Sequence, residues 1–152
     1  MNSLKSFSKI SSRISVAGQI SHDDISAAAA DGIKTIICNR PHAESEDQPE
    51  TTLLAAAAAA AGIEFLHIPV VSGAITETNV DDFAKAYETA AGPILAYCRS
   101  GKRSTILWAL AVATSQDIED ILATTADAGF DLSPLRPMLE ARAAQPQESP
   151  LE

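Results

Sequence analysis

Cys98 closes the apolar run Pro93-Ile94-Leu95-Ala96-Tyr97 and opens the polar stretch Arg99-Ser100-Gly101-Lys102-Arg103-Ser104. The apolar segment Thr105–Ser115 that follows reads as a helix. A thiol between a strand and a helix N-terminus meets unpaired backbone N–H groups and the positive end of the helix dipole. Both favour the thiolate, which is the nucleophilic form. The same amides, with an arginine fork, suit a tetrahedral oxyanion. The expected chemistry is attack by Cys98 on an electrophilic phosphorus or sulfur atom. Arg103 would grip two oxygens, the amides from Arg99 through Ser100 and Gly101 to Lys102 would bind the rest, and Ser104 would donate a hydrogen bond to the thiolate. A cysteine by itself is more often a buried core residue; its cationic, glycine-containing flank is what points to a site here.

The surrounding composition sharpens this. The 152-residue chain carries a net charge of −9, which argues against nucleic-acid and anionic-membrane partners, since both need a basic face. Arg99, Lys102 and Arg103 therefore form a local positive spot on an acidic protein and point to a small anionic or phosphorylated substrate. Gly101-Lys102 lacks the following Ser or Thr of a nucleotide phosphate loop, and Ala96 stands where that motif needs glycine. Two cysteines and three scattered histidines (His22, His42, His67) offer no metal-ligand spacing, so neither metal nor cofactor is expected. No apolar run is long enough for a membrane span. Residues Met1–Arg13 are basic and Ser-rich, as in a transit peptide, but the alternation of Ile10–Val16 places this stretch in the domain, and the protein is expected to be cytoplasmic. Cys38 reads as a small core residue, with the resolution of an oxidised Cys98 as the alternative. The acidic loop Glu44-Ser45-Glu46-Asp47 reads as solvated, and Trp108 as core.

Strand and helix patterns alternate along the chain. Strands are expected at Ile10–Ala17, Ile33–Cys38, Ile63–Ile68 and Ile94–Tyr97. Ser21 with Asp24 should cap the first helix, Pro49 should open the second, and Thr78 with Asp81 should cap the third. Helices at Thr105–Ser115, at Asp117–Ala128 and from Ser133-Pro134 close the chain. The expected fold is α/β, a mostly parallel four- to five-stranded sheet flanked by helices. A single domain spans residues 1–143, with a flexible tail over 144–152. In such sheets ligands sit beyond the carboxyl ends of the strands, where Cys38-Asn39-Arg40, His67–Ser72 and Cys98 converge.

Gly18-Gln19, the segment Gly32-Ile33-Lys34-Thr35-Ile36-Ile37-Cys38-Asn39-Arg40-Pro41 and the stretch Pro93–Trp108 resemble the phosphatase-like domain of the beta-lactamase hydrolase-like protein family, over residues 8–142. That family is related to dual-specificity, cysteine-dependent phosphatases, which work through a phosphocysteine without metal. The resemblance implies a dual-specificity-phosphatase-like fold, with Cys98 as nucleophile, Arg103 as the phosphate-binding arginine and Ser104 as the hydroxyl assisting thiolate departure. Arg40, in the family's Asn-Arg-Pro segment, would wall the pocket. Three departures stand out. Four residues rather than five separate Cys98 from Arg103, Tyr97 replaces the usual preceding histidine, and Ser72 falls where a general-acid aspartate is expected. Glu77, Asp81 and Asp82 are the nearest other acids, the last two reading as helix-end charges. The four-residue spacing also resembles the loop of rhodanese sulfurtransferases, in which the cysteine carries a persulfide. The expectation is a phosphatase-like hydrolase of phosphate monoesters such as phosphotyrosine or aryl phosphates, with sulfur transfer as the alternative and a non-catalytic anion-binding module as the third.

Overall fold

The computed structural model describes residues 7–145. A five-stranded sheet is built from β1 (Ser8–Lys9), β2 (Ile14–Ala17), β3 (Thr35–Cys38), β4 (Glu64–His67) and β5 (Ile94–Tyr97), in the order β1-β2-β5-β3-β4. All pairings are parallel except β1 with β2. The first expected strand is thus two. The amides of Ile10 and Ser11 both turn back onto the Ile14 carbonyl, folding the segment into an antiparallel pair. The mixed α/β sheet is the one the alternating pattern implies.

Residues on β2, β3 and β5 alternate between two cores, as a period of two requires. Val16, Ile37, Ile94 and Ala96 face the helices α3 (Glu77–Thr89), α4 (Lys102–Val112), α5 (Ile118–Asp127) and α6 (Arg136–Ala143). Ala17, Ile36, Cys38, Leu95 and Tyr97 face α1 (His22–Ala30) and α2 (Thr51–Ala60). The alanines of α2 leave it few side-chain anchors: Thr51, Leu54 and Ala58 make its buried stripe. Trp108 is in the core on α4.

Helix starts were partly legible. Ser21 and Asp24 form a reciprocal capping box at α1. At α3 the box is Thr76 with Asn79, not Thr78 with Asp81; Thr76 is the residue with extended backbone, so its hydroxyl rather than that of Thr78 can reach a free amide. Pro49 lies outside α2, which begins after Glu50. The helix after the cysteine loop starts at Lys102 rather than Thr105, because Gly101 at φ 94° turns the chain directly into it. A short 3-10 turn (Ser133–Leu135) leads into α6. No helix among the described residues is long and apolar enough to cross a membrane. The expected tail falls mostly beyond residue 145, outside the described residues, as do residues 1–6.

Candidate functional site

Strand β5 lies in the middle of the sheet, with β2 and β3 bonded to its two sides, and delivers Cys98 at its carboxyl end. The chain then wraps into a loop whose backbone points inward. The Gly101 amide donates to Cys98 Sγ at 3.1 Å. Thr105 donates from both its amide (3.0 Å) and its hydroxyl (2.8 Å) to the Gly101 carbonyl, fixing the loop to the first turn of α4. From outside, the Gln19 amide donates to the Arg99 carbonyl at 3.1 Å. Gly18 makes this approach possible: a Cβ there would stand 2.9 Å from the Arg99 oxygen. With the carbonyls of residues 99 and 101 turned outward, the amides of Arg99, Ser100, Arg103 and Ser104 have no acceptor among the described residues. An anion at this helix start would find those donors already oriented.

Arg103 is 8% exposed, on the first turn of α4. Its Nη1 donates to Glu44 Oε2 (2.9 Å) and the Val70 carbonyl (2.8 Å), and its Nη2 to Glu44 Oε1 (3.0 Å). The carboxylate therefore takes the far end of the guanidinium and leaves the Nε–Nη2 edge for a ligand. Glu44 is itself held by Arg40, whose Nε donates to Oε1 at 2.8 Å. The Arg103 hydrogen bonds, helped by Arg40, hold the Glu44 carboxyl below its usual range. The remaining Arg40 donors go to Gln19 Oε1 and Ser45 Oγ. Arg40 is thus not a wall of the pocket: it is buried behind Glu44 and positions Arg103 through it. Nor is Glu44 a merely solvated loop acid. Its partner at residue 103 is 59 positions away, and only the spacing of four from Arg40 hinted that it was engaged.

Ser104 is fully buried and donates to Asn39 Oδ1 at 2.8 Å, not to Cys98. Asn39 is in turn fixed by donating from Nδ2 to the Ile68 carbonyl at 3.0 Å, which leaves its oxygen to accept. Together with the Val70 amide on the Asn39 carbonyl, these bonds tie the loops after β3, β4 and β5 into one assembly, as the convergence of three strand ends predicts. Tyr97 points to the opposite face, against Cys38, its register partner. Burial raises the pKa of both the Tyr97 hydroxyl and the Cys38 thiol. The Cys38 thiol donates to the Arg40 carbonyl, and both cysteines are free and buried; Cys38 is the small core residue expected from its sequence context.

The loop opens into a cleft of about 690 Å³. Arg99, Lys102 and Arg103 form its cationic side, and Ile75, Leu135 and Met138 an apolar wall. Ser72 and Gly73 line it from the loop after β4, so the expected acid position carries a hydroxyl. Asp81 pairs with Arg142 instead, and Glu77 bonds Gln145. The carboxylate that does line the cleft is Asp131, from the turn after α5. Sequence reasoning passed over it, because nothing local to Asp131 shows that its turn packs beside residue 101.

Residues 6–116 match the family model described as beta-lactamase hydrolase-like protein, phosphatase-like domain. The chain belongs to this family. A beta-lactamase hydrolase-like protein of Agrobacterium fabrum is 36% identical over 141 residues, covering 90% of this chain and 32% of the relative. The chain thus spans about a third of the length of the curated relatives it matches. A crystal structure of a phosphatase candidate from Neisseria meningitidis is 33% identical with a TM-score of 0.80, over 88% of this chain and 96% of that one. Kinase-associated phosphatase, crystallised with its catalytic-site cysteine replaced by serine, aligns over 88% of this chain and 89% of its own at a TM-score of 0.69. Its 14% identity shows the fold alone, that of the tyrosine and dual-specificity phosphatases.

Proposed function

We propose that the protein is a metal-independent, cysteine-based phosphatase acting on phosphate monoesters such as phosphotyrosine or aryl phosphates. The observation that carries this reading is the pre-assembled loop: Cys98 Sγ receives the Gly101 amide, and the buried Arg103 is locked by Glu44 with one donor edge to spare. In the first step Cys98 attacks phosphorus while the Nε–Nη2 edge of Arg103 and the free amides of the loop hold the equatorial oxygens. The P–O bond breaks as S–P forms, the leaving group departs as its oxyanion and takes a proton from solvent, and water then hydrolyses the phosphocysteine. Ser104 assists thiolate departure in that second step, which requires its hydroxyl proton to turn from Asn39. With Ser72 at the usual acid position, leaving groups depart unprotonated. General acid catalysis contributes about 10²–10⁴-fold, so good leaving groups are preferred. Both cysteines are free, which suits a reducing compartment such as the cytoplasm.

The four-residue spacing from Cys98 to Arg103 favours a second reading, sulfur transfer through a Cys98 persulfide, which needs no acid for an alkoxide. Two assays separate them: para-nitrophenyl phosphate hydrolysis and thiosulfate-to-cyanide sulfur transfer, each with wild type and Cys98→Ser. Cys98-dependent hydrolysis supports the phosphatase, and Cys98-dependent thiocyanate formation the sulfurtransferase. Vanadate or phosphate binding with neither activity leaves an anion-binding module. In all three cases Arg103→Ala should weaken anion binding more than Lys102→Ala, because only arginine offers a planar two-pronged donor; equal losses refute the role of Arg103.

A further inference from the structure

We infer that Asp131, from the turn between α5 and α6, accepts the proton of the water that hydrolyses the phosphocysteine; this rests on the phosphatase reading. Asp131 is the single carboxylate among the described residues lining the cleft that holds Arg99, Lys102 and Arg103. Its turn is seated on the loop by Phe130: a Cβ built on Gly101 would stand 3.2 Å from the Phe130 ring. One oxygen of Asp131 is immobilised. Its Oδ1 accepts from the Ser133 amide at 3.0 Å and the Ser133 hydroxyl at 2.6 Å. Oδ2 accepts nothing among the described residues. Glu44 cannot serve instead, because both its oxygens are occupied by Arg40 and Arg103.

The charge state fits acceptance rather than donation. The Ser133 hydrogen bonds, with Lys102 nearby, lower the Asp131 pKa, so the group enters the reaction as carboxylate. The first step therefore gains no proton from it, in keeping with dependence on good leaving groups. In the second step the water oxygen bonds to phosphorus as the S–P bond breaks. The S–P electron pair returns to Cys98 sulfur, and one water proton passes to Asp131 Oδ2 and then to solvent.

Asp131→Asn is the discriminating variant, since an asparagine oxygen can still accept both Ser133 hydrogen bonds and the turn keeps its shape. The full chain is mixed with excess para-nitrophenyl phosphate, p-nitrophenol release is followed from the first turnover, and acid-quenched samples are weighed by mass spectrometry. The expected result is first-turnover release within about twofold of wild type, steady-state turnover at least about tenfold lower, and a phosphorylated Cys98 fraction that rises. Ser133→Ala, which removes the hydroxyl bond and leaves only the residue-133 amide on Oδ1, should lower the second step to an intermediate degree. An unchanged phosphorylated fraction in Asp131→Asn overturns the assignment while leaving the phosphatase reading intact. A first-turnover rate that falls as far as the steady state also overturns it, because Asp131 then acts before the intermediate. Absence of Cys98-dependent release from wild type overturns the phosphatase reading and this inference with it.

Discussion

Replacing Glu44 by glutamine tests how the site is held together. The wild-type carboxylate accepts three charge-assisted hydrogen bonds, at 2.9 and 3.0 Å from Arg103 and 2.8 Å from Arg40. A glutamine supplies one oxygen and turns an NH2 group toward a guanidinium, so at least one attraction becomes a donor–donor conflict. Breaking a fully buried ion pair costs about 3–5 kcal/mol and losing an exposed one about 0–1. The Arg103 side chain is 9% exposed and that of Glu44 22%, which places the expected loss between these limits, at about 2 kcal/mol. For a chain of this size that is a fall in Tm of about 4–8 °C. The pH dependence gives a second, independent readout. Because the folded pKa of Glu44 lies below 4.5, its contribution is complete above pH 4.5. It is lost as the pH falls from there through the depressed folded value. Melting curves of wild type and Glu44→Gln, recorded from pH 7 downward, should therefore converge in acid, where the wild-type residue is also neutral. Equal melting temperatures at pH 7, or a difference that persists unchanged into acid, would refute the bridging role of Glu44.

Two further substitutions probe the cradle. Gly18→Ala puts a methyl group 2.9 Å from the Arg99 carbonyl oxygen; overpacking of this kind costs about 1–3 kcal/mol, and denaturant unfolding should show that loss together with weaker vanadate binding as the loop shifts. Ser104→Ala leaves the buried Asn39 oxygen without its donor, a loss of about 1–3 kcal/mol, and should slow hydrolysis of the phosphocysteine more than its formation; wild-type stability would show that the Ser104–Asn39 bond contributes nothing.

Much of the site was legible because its decisive residues are contiguous. The strand, the thiol, the glycine and Arg103 fall within ten positions, and their local order dictates a strand-to-helix turn. What escaped was carried by contacts distant in sequence. Arg40 looked like a pocket wall because its segment matches the family, yet the carboxylate beside it turns its charge inward. Ser104 looked poised for Cys98, but its buried hydroxyl donates to Asn39 Oδ1, which lies just beyond the neighbouring strand β3. The α3 cap failed for a local reason: Thr76 and Thr78 are chemically equivalent candidates, and only the backbone direction entering the helix separates them. Asp131 was invisible because its role depends on Phe130 resting on Gly101.

The strand order has a consequence for how quiet this site can be. Opening fluctuations of a sheet begin at its margins, here β1 and β4, where one side of each strand lacks a neighbour among the described residues. Strand β5 is bonded to β2 on one side and β3 on the other, so its amides reach solvent only after a flanking partner has been peeled away, and the thiol is anchored to the end of that strand. Fraying, proteolytic nicking or docking of other polypeptide at the β1 margin can then proceed without disturbing the geometry around Cys98, whereas opening at β4 would pull on Ile68 and Val70, whose carbonyls hold Asn39 and Arg103.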